Sequence, residues 1–104
     1  MTHDKWVKLT PEERRVKVAE LCRLDGLVPG NSSWRIDEKG EAAYIPDYLN
    51  DLNAMHEAEM VIPDAFVRRR YYQVLDKITG DQWNTIVATA AQRAEALVLT
   101  LEPE

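Results

Sequence analysis

Gln82-Trp83-Asn84-Thr85-Ile86-Val87-Ala88, followed directly by Thr89-Ala90-Ala91-Gln92, is the stretch on which the fold turns. The first seven residues are rich in β-branched and aromatic side chains, which suit a pleated, half-buried strand. The next four form a capping box: a Thr hydroxyl and a Gln side chain three residues on satisfy each other's backbone N–H at a helix start. Such a cap has no purpose in mid-helix. The reading is therefore a strand over 82–88 and a helix over 90–101, with Ala94, Leu97, Val98 and Leu101 as its apolar stripe. One continuous helix over 82–101 is the alternative.

Working outward, residues 64–79 carry Val67, Tyr71, Val74, Leu75 and Ile78 at helical spacing, and Gly80 closes that helix. Pro46 opens another over 47–60, with Tyr48, Leu49, Leu52 and Met55 on one face. Residues 33–37 and 42–45 flank Glu38-Lys39-Gly40-Glu41, a hairpin turn, and place Trp34 and Ile36 on one face with Arg35 on the other. Thr10-Pro11-Glu12-Glu13 is a second capping box and begins a helix over 10–24, with Gly26 positioned as a left-handed cap. Val18, Leu21 and Cys22 form its stripe, while Val16 and Leu24 point elsewhere and suggest a second contact surface. Residues 1–9 read as an arm, 10–101 as one α+β domain with about four helices and three strands, and 102–104 as an acidic tail.

The composition is globular, with 45% hydrophobic and 30% charged residues. One cysteine, Cys22, excludes an intramolecular disulfide framework, and no zinc-ligand spacing is present, so a reducing compartment is expected with no metal or other cofactor. The polar N-terminus predicts no signal peptide, and no apolar run has the length of a membrane span. Net charge is −5; residues 41–60 hold five acids and no Lys or Arg, whereas 68–70 are three arginines. Binding to duplex DNA is not expected, because that needs a basic stripe to neutralise phosphates.

The arginine run is the sharpest chemical feature. It lies near the first turn of its helix, where positive charge opposes the helix dipole, so something negative should compensate. Glu57 and Glu59 are one candidate, and a phosphate gripped by arginine forks is the other. Arg68 and Arg70 flank the buried stripe and are the expected anion contacts, while Arg69 points away. Trp34 or Tyr44 is the expected stacking partner for a base, and Tyr72 lies one turn from Arg68, within cation–π reach. His56 reads as a partly buried, hydrogen-bonded histidine, and Cys22 as a buried thiol. Asp47, Asn50 and Asp51 form a solvated face without a cation cage. Pro29-Gly-Asn-Ser-Ser offers backbone N–H groups to an anion only weakly. No catalytic residues are assigned, and an enzyme is disfavoured.

Three segments together resemble a known family: Leu9-Thr-Pro-Glu-Glu-Arg-Arg-Val-Lys-Val-Ala-Glu-Leu-Cys22, Ile45-Pro-Asp-Tyr-Leu-Asn-Asp-Leu-Asn-Ala-Met-His-Glu-Ala-Glu59 and Val87-Ala-Thr-Ala-Ala-Gln-Arg-Ala-Glu-Ala-Leu97. Their order is similar to small proteins of tailed bacteriophages grouped as the phage ABA sandwich domain. The resemblance covers about half the chain and implies a three-layer α/β/α sandwich around a small antiparallel sheet. It carries over no catalytic residues. With the arginine and aromatic content, it leads to the expectation of a protein in the host cytoplasm that sequesters a small phosphorylated, nucleotide-type signal of host defence. The alternatives are a protein–protein inhibitor or adaptor that docks on a host protein through the acidic 41–60 segment, and a small enzyme built on His56. A homo-oligomer is expected, because so short a sheet leaves edges to cover.

Overall fold

The computed structural model describes residues 1–24, 26–28, 30–80 and 88–103. Among them are five α-helices and a two-stranded antiparallel sheet, an α+β fold. The helices are α1 (His3–Val7), α2 (Pro11–Leu21), α3 (Leu52–Ala58), α4 (Ala65–Thr79) and α5 (Ala90–Leu101); a 3₁₀ turn, Glu59–Val61, extends α3. The strands are β1 (Trp34–Ile36) and β2 (Ala42–Tyr44).

Thr89 caps α5 as its sequence predicts. Its hydroxyl accepts from Gln92 N–H, and the Gln92 side chain accepts from Thr89 N–H. Thr89 itself is extended (φ −71°, ψ 162°), so no helix runs unbroken through 82–101. The strand expected over 82–88 lies, apart from Ala88, outside the described residues. The helix after the cap is the centre of the molecule. It packs on α1, α2, α3 and α4. Ala94, Ala96, Leu97 and Val98 have no exposed surface, and Arg93, Glu95 and Thr100 are buried as well. A helix covered on nearly every side must accommodate polar groups internally, and that sets up the site described below.

The expected inner face of α4 is observed: Tyr71 and Leu75 are fully buried, and Val67, Val74 and Ile78 pack against the core. Asp64 caps its start by accepting from Val67 N–H, and Gly80, at φ 99°, ends it. The hairpin is also as read. Trp34 pairs with Tyr44, Arg35 with Ala43 and Ile36 with Ala42, and Asp37 carboxylate accepts from Lys39 and Glu41 N–H to tie the turn.

Four local expectations need correction. Residues 1–9 are not a loose arm: α1 buries Trp6, and the Arg14 guanidinium lies 5.5 Å from the Trp6 ring centroid while donating to Trp6 and Val7 carbonyls. The helix expected over 47–60 starts at Leu52, because Asp51 caps it through Asn53 and Ala54 N–H while 47–50 form a turn. Its buried face is consequently Ala54, Met55 and Ala58, and Leu52 is exposed. Helix α2 stops at Leu21, with Arg23 in the left-handed region at φ 56°. Gly26 serves packing instead of capping: its carbonyl accepts from Ile36 N–H, and a Cβ there would sit 1.6 Å from the Ile36 carbonyl oxygen. Leu24 packs at the core's margin and borders a cavity of about 400 Å³, while Val16 lines a separate one of about 530 Å³.

Candidate functional site

The polar centre forms where the 3₁₀ turn, α4 and α5 meet. Glu59 is buried, with its side chain only 8% exposed. Its Oε2 accepts from Tyr71 Oη–H at 2.5 Å and from the Arg93 guanidinium at 3.1 Å, while Oε1 lies 2.9 Å from His56 Nδ1. Burial, then the hydrogen bond and charge of Glu59, push the Tyr71 phenol well above its usual range, so it stays protonated and donates. A carboxylate engaged by two donors and a histidine is a poor free base. The arrangement is an anchored ion pair. It is also a correction: Glu59 faces Arg93 across 34 residues, rather than the neighbouring arginine run.

An open cleft of about 270 Å³ lies over this centre, lined by His56, Glu59, Met60, Arg68, Tyr72 and Arg93. Arg68 is exposed and, among the described residues, has no carboxylate at ion-pair distance and no side-chain hydrogen bond. Arg69 and Arg70 are exposed and unpaired in the same sense, but neither lines the cleft. The cleft thus combines an uncompensated guanidinium, a phenol ring and a half-exposed imidazole over a neutralised floor. Its chemistry fits an anion with a flat apolar part.

The four residues expected to bind ligand fall in separate places. Trp34 and Tyr44 meet as a cross-strand pair beside a cavity of about 340 Å³ shared with Ala42 and Ala43, away from Arg68. Tyr44 is 89% exposed. Arg93 was missed by the sequence reading. Its signal was an arginine on the same helical face as Leu97 and Thr100, a position that solvates no charge unless a partner waits there.

Other candidates are structural. The Asn31 carboxamide oxygen accepts from Ser33 and Trp34 N–H, which occupies backbone groups that an anion in the 29–33 loop would need. Arg15 donates to the carbonyls of Ile45 and Pro46, tying α2 to the segment after β2. Burial raises the Cys22 thiol, which suits a small packed side chain rather than a nucleophile. His3 is held above its usual value by its hydrogen bond to Glu95 at 2.6 Å. No group of three metal-ligating side chains occurs among the described residues, and none of their helices is long and apolar enough to cross a membrane. Of the acidic 41–60 segment, Glu59 is withdrawn into the core and Asp51 is spent on capping, while Glu41, Asp47 and Glu57 remain exposed. No family model, curated protein or solved structure matches this chain.

Proposed function

We propose that the chain is a non-enzymatic binding protein that takes a small phosphorylated, nucleotide-type ligand in the cleft beside Arg68. The observation that carries this reading is Arg68 itself, a guanidinium with no counter-ion among the described residues, at the mouth of a cleft walled by Tyr72. Phosphate supplies the missing negative charge through charge-assisted hydrogen bonds, and Tyr72 offers a face to a base. Arg70, two residues from Arg68 and outside the cleft's lining, contributes field rather than a direct bond. The resemblance to phage proteins supports interception of a host nucleotide signal as the setting.

The test is a thermal-shift screen against nucleotides and inorganic phosphate, followed by calorimetry. A ligand at 100 times its dissociation constant should stabilise the protein by about 2.7 kcal/mol. Arg68→Ala should then weaken binding by about 1.5–3 kcal/mol, or roughly ten- to more than a hundredfold, and Arg70→Ala by much less. Unchanged affinity in Arg68→Ala removes the cleft as the site. No stabilisation of wild type by any nucleotide favours docking on a protein through Glu41, Asp47 and Glu57.

The three-layer sandwich, with a third strand over 82–88, is a proposal on the same footing. It is supported by the β-branched run and by the Thr89 cap that separates this segment from α5. Amide exchange should be slow at alternate residues of 82–88; fast exchange throughout removes the third strand.

A further inference from the structure

We propose that β2 is a self-association edge, pairing antiparallel with β2 of a second copy about an axis through Ala43. The hydrogen-bonding phase of the hairpin carries the inference. Ile45 N–H donates to Ser33 and Asp37 N–H donates to Glu41, so the residue pairs 33/45 and 37/41 bond across the hairpin. Bonded and non-bonded pairs alternate in an antiparallel ladder, which makes Arg35 and Ala43 bonded and turns the N–H and C=O of Ala42 and Tyr44 outward. The same phase on β1 is confirmed by Ile36 N–H, which points away from β2 and reaches Gly26. On β1 that outer edge is occupied; on β2 nothing among the described residues takes the outward groups.

An edge of this kind recognises extended backbone, and three observations select a second copy. Centred on Ala43, the pairing sets Ala42 opposite Tyr44 of the second copy, so a small residue faces a large one at both positions. The cavity of about 340 Å³ lined by Trp34, Ala42, Ala43 and Tyr44 is then entered by the second copy's Tyr44, which has most of its surface free to bury. Finally, residues 42–45 carry no charge, so this is a strip along which two copies of net charge −5 can meet without opposing carboxylates. None of the usual edge defences, a lysine, a proline or an inward charge, lies within 42–44. A three-residue strand buries less than a permanent dimer needs, so the association is a weak one in the high-micromolar range. It is independent of the nucleotide proposal, which uses α4.

Sedimentation equilibrium from micromolar to millimolar protein tests the inference at low and high salt. Concentration-dependent dimers that strengthen with salt are expected, because screening relieves repulsion between like-charged copies. Ala42→Pro removes an outward donor while sparing the bonds to β1, and Tyr44→Lys puts a charge on the edge without altering the backbone. Each should raise the dimer dissociation constant about tenfold or more with the circular dichroism spectrum retained. Three results overturn the proposal: a monomer throughout at high salt, association unchanged by both variants, or Ala42 and Tyr44 amides protected equally at every concentration. The last would place an intramolecular strand on β2.

Discussion

Glu59→Ala is expected to lose about 3–5 kcal/mol of stability, because it removes the buried carboxylate that the Arg93 guanidinium and the Tyr71 hydroxyl both donate to. In a domain near this size, each kcal/mol moves Tm by roughly 4–8 °C, so the midpoint should fall by at least about 12 °C. The loss exceeds the worth of the pair itself, since forming it already costs desolvation of both charges. Tyr71→Phe isolates a smaller part. It deletes one donor to Glu59 and should cost about 1–3 kcal/mol, the range for a buried polar partner left unmade. Adding Arg93→Met to Glu59→Leu should recover much of the loss, because both charges of the buried pair are then replaced by apolar groups. Chemical denaturation with the four variants checks this. A Glu59→Ala protein within about 0.5 kcal/mol of wild type would show that water reaches the pair, as for an ordinary surface bridge.

Leu97→Ala should cost about 2–5 kcal/mol, through lost transfer energy and the cavity left behind. Leu97 is fully buried in a helix that four others surround, and such a site has little freedom to collapse. Alanine's better helix propensity returns less than about 1 kcal/mol and does not change the outcome. Leu99, two residues on, is a control of identical chemistry but only partial burial. Leu99→Ala should be clearly milder, with a shifted denaturant midpoint and an unchanged slope in both variants. Equal losses at the two positions would mean that α5 is not the centre of the core.

The candidate site was half legible in advance. Arg68 and Tyr72 were marked by their spacing of one helical turn, and the structure puts both on one cleft. The expected grouping of Arg68 and Arg70 with Trp34 and Tyr44 is not found: Arg68 lines one cleft, Trp34 and Tyr44 another, and Arg70 neither, because no sequence spacing relates the elements that carry them. Glu59 was assigned to the nearest cations along the chain, and proximity in sequence is a poor guide to the partner of a buried charge. His56 was expected to be hydrogen-bonded, and it meets Glu59, although its ring is 52% exposed.

What the sequence determined by itself was chemistry confined to a few neighbouring residues. The Thr10 and Thr89 capping boxes, the Gly80 stop and the Asp37–Glu41 turn all act over three or four positions, and each is found where its residues require. The inner face of α4 followed from helical period alone. What only the tertiary structure decided was every feature whose partner is distant. Glu59 meets Tyr71 and Arg93 across 12 and 34 residues, and Gly26 is needed because β1 passes against it. Trp6 is buried because α2 supplies Arg14 against its ring, and α3 begins late because Asp51, rather than Pro46, reaches the free amides. The reason is physical. Caps and turns satisfy backbone groups within one window of the chain, whereas burial of a charge or an aromatic ring depends on which surfaces remain when the helices close on α5.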